Sequence, residues 1–247
     1  MKAIRASVRL VSQTPRAEEL VATAARLCYA REPGGRRSAI SPEQVRKSLR
    51  LLRGMGHMSP FEHASFTFAL QGVSRALTHQ LVRHRLASYS QRSQRYVAHH
   101  DFDYVIPPRL QGRQVTVGGV CRDAAEYFAE TMTIIAERYK VLNEALGNSG
   151  ETSNEDARYV LPNACETRIM VTMNARELLH FFEERLCNRA QWELRTVAEK
   201  MRTLVRRSCP RLFSASGPKC LRYGHCPEGK LSCKRYAEMK KKYSDPE

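Results

Sequence analysis

The chain has 247 residues, 42% hydrophobic and 27% charged, a globular composition with length enough for one large domain and a real core. Forty-one Lys and Arg stand against 25 Asp and Glu, a net charge of +16, so the expected partners are anions: nucleic acid, phosphorylated small molecules or an anionic membrane. No run approaches transmembrane length and the start carries no apolar signal core, so the expected location is the cytoplasm, with the eight cysteines as thiols or metal ligands rather than disulfides.

Residues 6–11 partly alternate and predict a first strand; 16–29 read as a helix, and 31–37, with Pro33-Gly34-Gly35, as a loop. Ser41 starts a clear helix: it can cap the N-terminus, Pro42 fits the first helical position and Gln44 completes a capping box. Gly54 or Gly56 ends it. Phe66, Phe68 and Leu70 alternate with Ser65, Thr67 and Ala69, a half-buried strand. A helix is expected from Ser74 to about Leu86. Phe128, Met132, Ile135, Tyr139, Leu142 and Leu146 make a long amphipathic helix that Gly147 stops. Thr167, Ile169, Val171 and Met173 form a second alternating strand, and Asn174 caps a helix through Phe181 and Phe182. A final helix carries Leu194, Val197, Met201 and Leu204, and the tail after Cys209 is rich in Gly, Lys and Cys. Strands and helices follow one another without regular βαβ alternation. The expected fold is therefore α+β, one domain over residues 1–212 with a mixed or antiparallel sheet packed by long helices. Residues 213–247 form a tail packed on that domain or extending from it.

Residues 83–96, RHRLASYSQRSQRY, hold four arginines, a histidine, five hydroxyl side chains and no acid. Arg158 and a second basic segment, with Arg176, His180, Arg185 and Arg189 at spacings of four, five and four, have the same character. Arginine binds phosphate bidentately, and hydroxyls and helix N-termini add to such a cradle. Solvated helix faces are the plain alternative for any one of these arginines. A basic nucleic-acid-binding protein is the rival function, although no zinc finger, RNA-recognition signature or recognition helix is evident. G-x-G-x-x-G, the P-loop, H-E-x-x-H and G-x-S-x-G are all missing, which leaves out Rossmann or P-loop nucleotide binding and the common hydrolase arrangements.

Arg83-His84-Arg85, Ser88, Ser93 and Arg95-Tyr96 resemble the signature R-H-R-x-x-S-x-N-x-x-S-x-R-Y of the flavin-dependent thymidylate synthases. GHMSPFEH (56–63) and RAQWELR (189–195) are similar to two further blocks of that family, in the same order. Ser90 stands at the signature's Asn position, Gln91 where an acid often follows, and His180 where Asn is common. The resemblance implies methylation of dUMP to dTMP with FAD, NADPH as reductant and methylenetetrahydrofolate as carbon donor. It also implies a homotetramer with active sites between subunits, and no specific nucleic acid or membrane partner. Carried onto matching positions, it implies that FAD meets Ser59, Arg83, His84, Arg85, Gln91, Asn174, Ala175, Arg176 and His180, with His57 near the flavin ring. The nucleotide meets Gln80, Leu81, Val82, Arg83, Gln91, Arg92, Ser93, Gln94, Arg95, Arg158 and Arg185, with Arg185 on the pyrimidine edge as the catalytic cation. On this expectation anionic ligands replace the carboxylates that 83–96 lacks. Ser93 lacks a base held by a third group, so binding rather than nucleophilic attack is its expected role. Cys28, Cys121, Cys165 and Cys187 read as core or surface thiols. Cys209, Cys220, Cys226 and Cys233, with His225, could hold zinc, but C-x-x-C pairs are absent and the spacing is loose; plain thiols are expected, with no metal site.

Overall fold

Alternating apolar residues mark the strands through Phe66–Leu70 and Ile169–Met173, and the side chains of Ser41, Asp123, Asn174 and Gln191 cap helix starts. A computed structural model describes residues 1–27 and 40–244. Cys28, the expected loop over 31–37 and the end of the helix expected over 16–29 lie outside them. In chain order the elements are β1 (Ser7–Gln13), α1 (Ala17–Leu27), α2 (Pro42–Gly54), β2 (Ser65–Ser74), α3 (Arg75–Leu81) and β3 (Ala87–Gln91). The hairpin β4 (Gln114–Val117) and β5 (Val120–Asp123) leads into α4 (Ala124–Ala145) and α5 (Glu151–Ala157). Then come β6 (Glu166–Asn174), α6 (Ala175–Arg185), α7 (Trp192–Ser208), α8 (Lys219–Tyr223) and α9 (Tyr236–Tyr243).

The fold is α+β. Four strands join in the order β1-β2-β6-β3. Thr67 meets Thr172 at 2.9 Å, while the Gly72 amide reaches Glu166 at 3.2 Å, so β2 and β6 run antiparallel. Phe66, Phe68 and Leu70 on β2 are buried, as the alternation predicts. The capping box at Ser41 forms as expected, with both reciprocal bonds.

Three expectations need correction. The helix predicted over 74–86 stops at Leu81, and a strand not expected from the sequence follows at 87–91. Edge pairing with β6 makes this strand, and the Arg92 amide continues the pairing to the Arg168 carbonyl at 2.9 Å. On α4, Leu142 and Leu146 are 41% and 44% exposed, while Met132, Ala136, Tyr139 and Asn143 form the buried face. Asn143 is buried because its amide and carbonyl bond Tyr139, Ser153 and Asn154. The helix with Leu194 is not the last, since α8 and α9 follow in the tail. The β4–β5 hairpin carries a Gly118-Gly119 turn with both φ positive, a two-glycine hairpin signal present in the sequence.

The chain divides into two compact units. One comprises Met1–Ser7, Leu70–Leu81 and Ser90–Ile169. Its core packs Phe102, Tyr104, Met132, Ala136 and Cys165. The Asn154 amide donates to the Arg95 carbonyl at 2.9 Å, which ties the end of the basic stretch to the buried Tyr139–Asn143–Asn154 network. The other unit comprises Val8–Ala69, Val82–Tyr89 and Met170–Glu247. Phe66, Phe182 and Phe213 pack there edge to face. Arg202 anchors its tail: Nε donates to the Ser216 carbonyl at 2.7 Å and Nη2 to the Tyr243 carbonyl at 3.1 Å. Burial pulls that guanidinium down to about 10.

Gly72 has φ +65°, and a Cβ there would stand 2.4 Å from the Arg5 carbonyl oxygen. Backbone cannot yield as a side-chain end can, so Gly72→Ala is expected to cost about 2 kcal/mol or more in urea unfolding. A loss under about 0.5 kcal/mol, the surface-substitution range, would show that this turn relaxes freely.

Candidate active site

The signature residues divide between the two units. In the second unit, Arg83-His84-Arg85 follows α3, and α6 carries Arg176, His180 and Arg185. Asn174 holds the start of α6 by accepting from the Glu177 amide at 2.9 Å. Arg83, His84, Arg85, Arg176, His180 and Arg185 all line one cavity of about 1800 Å³. Nine arginines line it against three glutamates.

Within it His84 joins two charged groups. Arg185 Nε donates to His84 Nε2 at 2.9 Å, and His84 Nδ1 stands 3.1 Å from Glu177 Oε1. A guanidinium can only donate, so Nε2 must accept and the ring proton sits on Nδ1, facing the carboxylate. His84 and Glu177 are both buried, and the His84 ring also packs edge-on against Phe181 at 5.0 Å. The ion pair of Arg185 with Glu184 or Glu177, its plain surface reading, does not form among the described residues. The bond to His84 uses Nε and leaves the two terminal nitrogens for a ligand.

His84, Glu177 and His180 bring three ligand atoms within 4.8 Å of one another. Both His84 ring nitrogens are already engaged, one by a cation, so this cluster is built for hydrogen bonding rather than for a metal.

Sequence reasoning missed part of this wall. Arg46, Arg50 and Arg53 on α2 line the same cavity. Their spacing of four and three puts them on one helical face, a signal present in the sequence. Among the described residues Arg50, Arg83, Arg85 and Arg185 have no carboxylate partner, whereas Arg46 pairs with Glu43, Arg176 with Glu62 and Arg211 with Glu18. Ser59, His57, Asn174 and Ala175 do not line it. Ser59 opens a 3-10 turn over Ser59–His63, and buried Ala175 donates its amide to the Ala64 carbonyl. Arg189 lies beyond the end of α6, so it does not extend the expected polar face; it pairs with Glu228 instead.

The first unit holds the rest. Gln91 Nε2 reaches Thr78 and Thr167 at 3.0 and 3.3 Å. Arg92 pairs with Glu166, and Arg95 with Glu151 and Glu155. Arg158 Nε donates to the Glu155 carbonyl at 3.1 Å. Ser93 Oγ accepts the amides of Arg95 and Tyr96, so it shapes the turn. Leu81 is buried in this unit, Val82 is exposed and belongs to the second, and neither residue has a polar side chain. The idea that only ligands answer the charge of 83–96 is therefore corrected: Glu151, Glu155 and Glu166 serve Arg92 and Arg95, and Arg83 and Arg85 alone fit it. Arg75 joins this set unforeseen; burial lowers its pKa, Cys165 opposes that, and Arg158 lowers it further. Burial pushes the Cys165 thiol up to about 12.

A family model described as thymidylate synthase complementing protein matches residues 9–211. The chain belongs to this family. Three curated relatives carry the name flavin-dependent thymidylate synthase. That from Clostridium tetani is 47% identical over 249 aligned residues, 98% of each chain. That from Nitratidesulfovibrio vulgaris is 46% identical over 93% of this chain and 94% of its own. That from Pyrococcus furiosus is 41% identical over 91% and 90%. The family match stops at residue 211 and leaves α8 and α9 beyond it, while the alignment with the Clostridium protein takes in nearly the whole chain.

Two outcomes test the site's electrostatics. Glu177→Leu leaves the His84 Nδ1 proton without an acceptor and is expected to cost about 1–3 kcal/mol in denaturant unfolding, while Glu177→Gln, whose carbonyl still accepts, costs clearly less. Equal losses would remove the hydrogen bond from the explanation. A raised pKa keeps the Cys165 thiol protonated throughout the neutral range, so iodoacetamide at pH 8 should label exposed Cys121 and spare Cys165 in peptide mapping.

Proposed function

We propose that this protein catalyses the reductive methylation of dUMP to dTMP with FAD, taking the carbon from methylenetetrahydrofolate and electrons from NADPH. The observation that carries the reading is the cavity whose Arg50, Arg83, Arg85 and Arg185 have no acid partner among the described residues. Cations concentrated without answering carboxylates fit a dinucleotide pyrophosphate. A volume of about 1800 Å³ exceeds an ordinary small-molecule site of about 300–1,000 Å³, as a dinucleotide with a second ligand requires. The relatives' printed names support the same reading.

In this reading Arg83, Arg85 and Arg176 hold the FAD phosphates, with His84, His180, His57, Ser59, Asn174, Ala175 and Gln91 around the cofactor. Gln80, Leu81, Val82, Gln91, Arg92, Ser93, Gln94, Arg95 and Arg158 bind dUMP, in a homotetramer whose active sites form between subunits. Bound flavin supplies the hydride that reductive methylation consumes. The chain's own chemical contribution is charge. Arg185, oriented through Nε by His84 and Glu177, presents two donors to the pyrimidine edge and stabilises negative charge as carbon five becomes nucleophilic. No thiol attacks carbon six in this scheme, and Cys187 does not line the cavity. Residues 1–212 carry Arg83, His84, Arg176 and Arg185, and residues 213–247 complete the cavity wall through Leu221, Arg222 and Tyr243.

Purified protein should bind FAD with a yellow absorbance spectrum; failure of saturating FAD to bind or to raise the melting temperature would remove this function. Arg185→Ala is expected to lower turnover at saturating dUMP by about a hundred- to thousandfold with FAD still bound. Arg185→Lys should rescue little, because an ammonium lacks the planar pair of donors. Ser93→Ala should raise the KM for dUMP, consistent with about 1.5–3 kcal/mol for a hydrogen bond to a charged group. The opposite pattern, with Ser93→Ala inactive and Arg185→Ala nearly intact, would exchange the two roles.

A further inference from the structure

Four of the protein's cysteines meet outside the arginine cavity. Cys187 follows the end of α6, Cys220 lies on α8, and Cys226 and Cys233 bracket the loop before α9. All four line one small cavity of about 20 Å³, beside Asn188, Lys219 and Glu228. That space admits about one water-sized occupant. The sequence offered Cys209 as the fourth member, but Cys209 is buried where α7 ends and does not line this cavity; Cys187, from a distant part of the chain, takes its place.

The surroundings treat these sulfurs as ligands. None is in a disulfide. The Asn188 amide points at Cys233 Sγ at 3.7 Å. Four free thiols around one small space make a ligand set for a soft or borderline cation. No three of them lie mutually within 4.8 Å, so an ion would draw the tail inward to reach Zn–S distances of about 2.3 Å.

We propose that Cys187, Cys220, Cys226 and Cys233 form a tetrathiolate site for one zinc ion that clips the C-terminal tail to the end of α6. On binding, each thiol gives its proton to solvent as its sulfur joins the ion, and no electron is transferred. Four sulfur ligands select zinc or an iron–sulfur cluster, and the small cavity favours the single ion. The consequence reaches the arginine cavity. Lys219 pairs with Glu184 and Arg222 with Glu183, both on α6, while Leu221, Arg222 and Tyr243 form part of the cavity wall. The clip holds that wall to the helix that carries Arg185. The inference rests on the thiols alone and stands whether or not the proposed reaction is right.

The test is elemental analysis of full-length protein purified under mild reductant without chelator. About one zinc per chain is expected, falling close to none in Cys220→Ser and in Cys226→Ser and unchanged in Cys209→Ala. If a variant fails to fold, the wild-type protein answers alone. Its zinc-free form, refilled with cobalt, should show the ligand-field and sulfur-to-metal charge-transfer bands of a tetrahedral thiolate site. No zinc in the wild type together with no cobalt bands overturns the proposal, as does iron with sulfide, or zinc retained in both cysteine variants.

Discussion

Glu177 is a carboxylate with only 5% of its surface exposed, and a charge that deep must be answered or it destabilises the fold. The answer comes from two directions. Asn174 organises the first turn of α6, where the helix dipole also favours a negative group. His84, from the segment after α3, brings a proton to its carboxylate and passes the interaction on to Arg185. One hydrogen-bonded line therefore joins a chain segment, a helix start and a helix end. It fixes the imidazole tautomer and aims the guanidinium. The arginine cavity has its geometry because this buried acid needs its partners.

The basic residues are treated in two physically distinct ways. Arg92 and Arg95 are answered by Glu166, Glu151 and Glu155, all from more than fifty residues away in sequence. Their side chains are held whether or not a ligand is bound. Arg83, Arg85, Arg50 and Arg185 face the cavity with no acid partner among the described residues, so the protein itself leaves their charge unneutralised. Preorganised cations of this kind cost stability in the empty protein and stabilise negative charge in the occupied one. The cavity wall is completed by the tail, held by Arg202 to the carbonyls of Ser216 and Tyr243 and by Lys219 and Arg222 to α6.

Much of the chain could be read directly. The capping box at Ser41, the alternation of Phe66, Phe68 and Leu70, and the cap at Asn174 are local patterns, and local physics decides them. The basic signature was legible for the same reason, since seven matched positions lie within fourteen residues. What was not legible depended on distant partners. Residues 87–91 carry no alternating apolar pattern to mark a strand until β6 offers a sheet edge. Asn143 looks like a solvated helix position until Tyr139, Ser153 and Asn154 satisfy it. Cys187 looks like a stray thiol until the tail returns to it.

The sequence by itself determined the composition of the site: which cations exist, how they are spaced along the chain, and that no acid lies among residues 83–96. Tertiary structure decided which of those cations are neutralised. Charge pairing acts through space over a few ångströms, and the carboxylates that reach Arg92 and Arg95 arrive by folding, not by sequence proximity. The same holds for Arg185. Its place on α6 follows from the chain, but its direction follows from His84, a hundred and one residues earlier, and from a carboxylate that only burial makes demanding.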